Sequence, residues 1–520
     1  MDKIEILREL LKNELPIHDT PIGKLHPYWA RKPFNIIETI INTLSSTDDL
    51  ILDPFMGSGT TLFAAAKHHR RVIGADINPL SVFIVESTLA LSSLSGKIIS
   101  KINEFISLAE IDLMPLFKIG ELDFIERSRY EVIGEFEKGH FKLKPGEIIT
   151  KQFVNGKWSK RKVSNNKIEP PIPINLKAFN NYPLDFSKLL LTPNSRIAIP
   201  QGSDLSHYFS EKNIICINYL LEQIKKSKFA PEEKRILHFL LSSSIPLLRL
   251  SDKKASSQWP YWRPKQELTS RNPLIVLRKR ISAFSEALEW MQIENINKSF
   301  SRLSYKKVYT GETISFGRIP IQRLSEVISE KPSLIITDPP YSDHVPYLEY
   351  SAMWNHIFNL KIVGNDFLNE IVNTDAPSRV ADKRDYSNRL SESLKICSEL
   401  IKDNGLIVWF YQDQSLQNWK YLYDTSLKEN LKIIDIIPLN KQRRSMKTIT
   451  TPGKTLDGDL ILIFQKKIGV SEFVATKNKI PKVAGQTYYS QYTEIIQNAM
   501  INGGIEKLAG KFKLVDEIIE

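Results

Sequence analysis

From Asp48 to Leu94 the chain alternates strand, glycine turn, helix, strand, helix. LILDPF is a short apolar run, GSGTTLFAAAKHH is a turn feeding a helix, and RVIGAD is a second buried strand. Two strands joined through a helix cannot form a hairpin, so the helix is a crossover and the strands run parallel. Parallel strands need helices on both faces of their sheet, and this segment alone commits the chain to an α/β architecture. The alternation resumes near Lys331. SLIITD reads as a strand, YSNRLSESLKICSELIKDNG as a helix stopped at Asn404-Gly405, and LIVWFY as a strand; a polar helix after Gln414, then LKIIDIIPL and DLILIF, complete the series. The last two runs have no helix between them and are expected to pair antiparallel. The expected fold is an α/β, Rossmann-like sheet, mostly parallel with an antiparallel closing strand, interrupted by a large mixed α+β insertion.

The insertion has a different character. Residues 130 to 163 alternate like antiparallel hairpins, with Pro145-Gly146 and Asn155-Gly156 expected at the turns. A proline-rich passage, EPPIPINLKAFNNYPLDF, reads as extended, and helices follow near 211 to 228, 231 to 249 and 273 to 291. The boundaries expected are 1–95 for the first part of the sheet domain, 96–310 for the insertion, 311–468 for the second part and 469–520 for a helical tail.

Charge separates these parts. The formal net charge is +12, yet residues 1–100 carry 10 Lys and Arg against 11 Asp and Glu, and residues 311–520 carry 26 of each. Residues 101–310 carry 35 against 22, so the basic excess belongs to the insertion. A solvated lysine-rich surface has this composition, and so does a module that contacts phosphates. The chain has 2 cysteines, Cys216 and Cys397, too few for a zinc cluster or a disulfide framework, and no metal site is expected. No apolar run reaches the roughly 18 residues of a membrane span, and the first 15 residues read as an amphipathic helix; a cytoplasmic protein is expected.

Asp53, Pro54, Phe55, Gly57, Ser58, Gly59 and Thr60 stand where a strand becomes a helix. There glycines allow a ligand close to the backbone, and the helix N-terminus offers free N–H groups. The lysine of a nucleoside-triphosphate loop is replaced by Thr60. Asp76 ends the next strand 17 residues after Gly59, followed by Ile77 and Asn78, near the ~20-residue spacing at which a carboxylate meets ribose hydroxyls. An adenosyl cofactor is the functional expectation; a tight turn with a strand-end aspartate is the structural alternative.

Asp338, Pro339, Pro340 and Tyr341 follow the strand SLIIT, on the sheet edge where open α/β sheets bind ligands. Two prolines fix the backbone and remove its donors, leaving carbonyls free to point outward. A carboxylate and such carbonyls accept hydrogen bonds from an exocyclic amine, and a tyrosine face can stack on a planar base.

Together, Asp53 to Thr61 and Asp338 to Tyr341 resemble the paired signature of the DNA amino-methyltransferases that use S-adenosylmethionine. Lys24 to Pro33 resembles the histidine-aromatic-basic segment preceding the glycine motif in that family, which implies that His26 and Tyr28 lie near the methionine end of the cofactor. GSDLSHYFSEKN, WPYWRPKQ and the run from Arg271 to Leu288 resemble a bacterial and archaeal subgroup with a long central insertion. The resemblance implies a class I methyltransferase sheet with a target-recognition region between its halves, double-stranded DNA as substrate, base flipping, a restriction endonuclease or defence system as partner, and a nucleoid location. The family's acidic residue for the cofactor adenine has no match here; Gln322 is the nearest candidate.

By the same resemblance Asp338 and the Pro339 carbonyl accept the amine hydrogens, and Tyr341 receives the flipped base. Adenine N6 is the expected target, with cytosine N4, an RNA base and a catalytically silent DNA-binding protein as alternatives. Candidates for holding nucleic acid are Lys157, Lys160 and Arg161, the cluster Trp259, Tyr261, Trp262 and Arg263, the run Arg278, Lys279 and Arg280, and Arg443 and Arg444 before the last strand.

Overall fold

The computed structural model describes residues 2–519 except 120, 122, 138–139, 156, 160–161, 165–168, 178–183, 193–196, 198, 200, 252–266, 297–298, 342–344, 375, 377–378, 380–382, 441–455, 457 and 468–486. The strands are β1 (Leu50–Asp53), β2 (Arg71–Asp76), β3 (Asp123–Glu137), β4 (His140–Val154), β5 (Lys157–Trp158), β6 (Lys162–Ser164), β7 (Glu267–Arg271), β8 (Phe300–Leu303), β9 (Ile314–Arg318), β10 (Leu334–Thr337), β11 (Leu406–Tyr411), β12 (Leu431–Asn440) and β13 (Gly458–Lys466). The longer helices are α1 (Lys3–Asn13), α2 (Phe34–Leu44), α3 (Thr60–Lys67), α4 (Pro79–Ser93), α5 (Lys97–Leu113), α6 (Glu211–Lys226), α7 (Pro231–Leu248), α8 (Pro273–Ile293), α9 (Lys383–Leu400), α10 (Leu416–Lys428), α11 (Tyr488–Ile501) and α12 (Ile505–Lys511).

Eight strands form the main sheet in the order β12-β13-β11-β10-β1-β2-β9-β8. All neighbours are parallel except β13, which runs antiparallel to both β11 and β12. The short apolar runs are strands because successive residues feed opposite faces. Ile51, Leu334, Ile336, Val408 and Phe410 enter one core; Leu50, Leu52, Ile335, Ile407, Trp409 and Tyr411 enter the other. Helices α1 to α8 cover the first face, and α9 to α12 the second. From β1 the chain travels outward through β2 in one direction, while β10 continues in the other. The order therefore reverses between β1 and β10, where an open α/β sheet leaves a crevice beyond its carboxyl ends. Asp53 and Asp338 stand at those two ends.

The insertion carries a second, five-stranded sheet of β3 to β7. Pro145-Gly146 is not a turn: β3 and β4 form one long hairpin in which Pro145 pairs with Tyr130 inside β4. A register irregularity between Ser128 and Tyr130 accommodates it, as expected for a proline that cannot donate to a ladder. Asn155, with φ +51°, does lie in the turn between β4 and β5. The main sheet resumes at β8, before the boundary expected at 311, since β8 pairs with β9 in parallel. The insertion also shares the sheet domain's core, with Ile102, Phe239 and Phe284 in the same cluster as Ile51 and Ile336. Tail helix α11 packs on β12 through Tyr489 and Ile496. No single helix among the described residues is long and apolar enough to cross a membrane.

Candidate active site

The loop after β1 is held by its own backbone. Phe55 N–H donates to Asp53 Oδ1 at 3.1 Å, Met56 N–H to the Ala75 carbonyl at 2.9 Å, and Gly59 N–H to the Met56 carbonyl at 2.8 Å. Gly57 and Gly59 take φ +50° and +85°, the left-handed region that side chains resist. Space closes the same positions. A Cβ on Gly57 would stand 3.0 Å from the Tyr28 ring, and one on Gly59 would stand 2.8 Å from Val85.

Asp76, ending β2, is coupled to this loop: Gly57 N–H donates to its Oδ2 at 2.9 Å and Asn78 N–H to its Oδ1 at 2.8 Å. Burial nonetheless pushes its carboxyl up to about 6, and pushes Asp53 up to about 7. Asn78 caps α4 through Leu80 N–H at 3.0 Å and accepts from the Ser351 hydroxyl at 3.1 Å, so its side chain is occupied by the fold.

An open cleft runs from this loop to the end of β10. Its walls include Tyr28, Asp53, Pro54, Phe55, Gly57, Ser58, Thr60, Asp76, Ile77, Asp338 and Pro340. The two motifs, 285 positions apart from Asp53 to Asp338, therefore face one space. Pro340's carbonyl accepts from Tyr386 hydroxyl at 2.9 Å, and the Tyr341 ring meets Tyr411 edge-on with 5.7 Å between centroids. Tyr386 of α9 and Tyr411 at the end of β11 thus brace the double-proline loop.

Two residues the sequence did not single out complete this end. Lys32 places its Nζ 3.1 Å from Asp338 Oδ1 and 2.9 Å from Asp459 Oδ2, and donates to the Tyr341 hydroxyl at 2.9 Å. Arg31 aims it: its Nε donates to Ser58 Oγ at 2.8 Å and its Nη2 to the His26 carbonyl at 2.9 Å, pinning the segment before α2 to the glycine loop. Burial pushes Asp338 up to about 6, opposed by Lys32 and reinforced by Asp459. Lys32 sat inside the quoted basic segment; Asp459 had only the faint signal of an acid opening an apolar strand.

Other expected site residues lie elsewhere. His26 is in the core, not on the cleft wall: Nε2 is 2.8 Å from Ser242 Oγ, its ring stacks on Phe239 at 5.7 Å, and burial lowers it to about 3. Arg278 is spent on Glu110, with Nε 3.0 Å from Oε1 and Nη2 2.7 Å from Oε2, and on Asn103 at 2.9 Å. Arg280 donates to the carbonyls of Lys24 at 2.7 Å and Leu25 at 2.6 Å. Arg278 thus braces the insertion internally and Arg280 ties it to the segment before α2, whereas Lys279 and Lys157 are exposed on the surface. Lys160, Arg161, Trp259, Tyr261, Trp262, Arg263, Arg443 and Arg444 lie outside the described residues. Gln322 Nε2 reaches the Asn369 carbonyl at 3.5 Å, while its neighbours Pro320 and Ile321 line the cleft. Cys216 and Cys397 are buried and burial pushes both thiols up, so neither offers a thiolate near neutrality.

Strand order and cleft position define an open, doubly wound, Rossmann-like α/β fold with its cleft at the point where the strand order reverses. A DNA methylase family matches residues 9–86 and 333–499, the two flanks of the insertion. Similar curated proteins include the type II methyltransferase M1.MboII of Moraxella bovis, 53% identical over 47 residues (9% of this chain, 18% of that protein). M.HindIII of Haemophilus influenzae is 43% identical over 49 residues (9% and 16%). M.MjaII of Methanocaldococcus jannaschii is 26% identical over 137 residues (25% and 24%). The aligned stretches thus span less than a quarter of each relative. Among solved structures, the N-methyltransferase NodS of Bradyrhizobium japonicum WM9 aligns at 12% identity and a TM-score of 0.17 over 36% of this chain and 69% of its own.

Proposed function

We propose that the protein is an S-adenosylmethionine-dependent DNA methyltransferase acting on an exocyclic amino group, with adenine N6 as its target. The observation that carries this reading is the single cleft in which the glycine loop and Asp76 face Asp338 and Pro340. The cleft suits the cofactor. Gly57 and Gly59 keep side chains out of a cradle a Cβ would fill, and the carboxylates of half-buried Asp76 and buried Asp53 are acceptors matched to ribose hydroxyls and an ammonium group. Ile77, Pro320 and Ile321 offer an apolar wall for a planar base, and Tyr28 packs over Gly57. When bound, S-adenosylmethionine supplies an electrophilic methyl group.

Asp338 accepts one amine hydrogen and the Pro339 carbonyl another, drawing the nitrogen toward tetrahedral geometry so that its lone pair is localised and aimed. The proton released from the alkylated nitrogen passes to Asp338. Tyr341 stacks on the flipped base, and Lys157 and Lys279 of the basic insertion meet phosphates. The setting is the cytoplasm of a bacterium or archaeon, at the nucleoid, with a restriction endonuclease or defence system as partner.

The test is transfer of labelled methyl to unmethylated genomic DNA, read by nucleoside mass spectrometry. N6-methyladenine is expected. N4-methylcytosine would keep the class and change the base, and no incorporation into DNA with cofactor bound would move the assignment to RNA or to silent binding.

Two further outcomes follow from the geometry. Gly59→Ala, placing a methyl at φ +85° against Val85 and Phe63, is expected to weaken cofactor binding at least tenfold by calorimetry. Asp338 must be ionised to accept the amine, and burial holds it at about 6. The kcat/KM profile is therefore flat well above pH 6 and falls about tenfold per unit below it; a limb near pH 4 would refute that assignment.

A further inference from the structure

Lys32 is a buried ammonium in the place the proposed reaction gives to the target. Its Nζ is 3.1 Å from Asp338, 2.9 Å from the Tyr341 hydroxyl and 4.9 Å from the centre of the Tyr341 ring, and Phe410 lies beneath it at 5.4 Å. A cationic nitrogen ion-paired with Asp338 and hydrogen-bonded to the Tyr341 hydroxyl occupies the space beside Asp338 that the amine of a flipped base would need. Lysine and base cannot hold those contacts together. Asp459, at the start of β13, is a second anchor for the ammonium at 2.9 Å.

We propose that Lys32 is a positioning residue that fills the target-amine subsite of the free protein and withdraws onto Asp459 when the base enters. This rests on the methyltransferase reading above and adds to it a gate and a charge regulator. The groups facing Asp338 are Lys32 from the segment before α2, Asp459 from β13, Tyr341 from its own loop and Asp53 from β1. Lys32 is the cation among them. Removing it leaves buried carboxylates crowded together, and Asp338 then keeps its proton to higher pH and cannot accept the amine. Parked on Asp459, the ammonium stays close enough to keep Asp338 ionised and leaves the Asp338 oxygens to the base. Arg31, fixed to Ser58 and the His26 carbonyl, holds the backbone while the lysine side chain moves.

The experiment compares Lys32→Met, Asp459→Asn and the double variant with the wild-type chain, using unmethylated genomic DNA and S-adenosylmethionine. Lys32→Met is expected to move the acid limb of kcat/KM up by about one pH unit, so that activity falls about fivefold more at pH 6 than at pH 9. Asp459→Asn, with nowhere to park the lysine, is expected to raise the KM for DNA about tenfold with a smaller change in kcat, and adding Lys32→Met should reverse that rise. An unmoved acid limb, or additive KM effects in the double variant, would overturn the proposal. A third readout needs no activity. Thermal unfolding of Lys32→Met should show a larger loss of midpoint at pH 8, where both carboxylates are charged, than at pH 5, where protonation relieves them; equal losses would reject the counter-ion role. Wild-type chain that transfers no methyl to DNA would refute the functional reading, and the unfolding comparison would still decide the role of Lys32.

Discussion

Asp338→Ala should lower kcat for methyl transfer about 10³-fold while leaving the dissociation constant for S-adenosylmethionine within about threefold, as expected for loss of a group that acts where charge develops in the transition state. The geometry separates the two effects. Asp338 follows β10 at the base end of the cleft, whereas the glycine loop and Asp76 are held by bonds among themselves and to β2. The fold should also survive, because Lys32 keeps Asp459 at 2.9 Å after the substitution. Asp338→Asn, which retains an acceptor oxygen but takes no proton, should fall between the two. Single-turnover rates with bound cofactor, alongside calorimetric titration, make the check. Turnover within tenfold of the wild type in Asp338→Ala would remove Asp338 from the reaction.

The sheet was legible where its strands are short apolar runs buried on both faces, such as LILD and LIIT, because few other elements bury such a run between glycine and proline punctuation. β8 and β9 were missed as strands for a physical reason. FSRL and ISFGR carry Ser, Arg and Gly, and β9 is held by β2, a partner more than 200 residues away in the chain, with β8 added on the far side of β9. Pro145 misled in the opposite way, since the rule that proline ends a strand fails at a register irregularity.

The glycine loop and the double-proline loop were readable because their chemistry is local to a few consecutive residues. Lys32 was not, since a lysine is solvated unless carboxylates from distant strands close around it, as Asp338 and Asp459 do. Arg278 and Arg280 show the converse. Consecutive helical residues point about 100° apart, so a basic triplet on α8 cannot share one face. Lys279 faces solvent while its neighbours turn inward to Glu110 and to the Lys24 and Leu25 carbonyls.

Arg379→Met should be the most destabilising single change near the cleft, lowering unfolding free energy by about 3–5 kcal/mol. Arg379 is buried between two carboxylates: its Nε lies 2.6 Å from Glu349 Oε1, its Nη2 2.6 Å from Glu349 Oε2 and 2.5 Å from Glu370 Oε2. Burial and the neighbouring Glu370 already hold Glu349 well above the ordinary carboxylate range, against the pull of Arg379. Removing the guanidinium leaves two buried carboxylates with no counter-ion, and Glu349 then favours its protonated form still more. In the folded variant Glu349 binds its proton more tightly than in the unfolded chain, so its destabilisation is complete at high pH and shrinks as pH falls. Urea unfolding at pH 6 and pH 9 should therefore show the larger deficit at pH 9, and adding Glu349→Gln should recover part of it. The loss extends to function because Glu370 accepts from Leu348 N–H at 3.0 Å and also lines the cofactor cleft. Weaker cofactor binding should accompany the lost stability; a variant with unchanged unfolding midpoints at both pH values would show that the two glutamates are neutral in the fold and need no arginine between them.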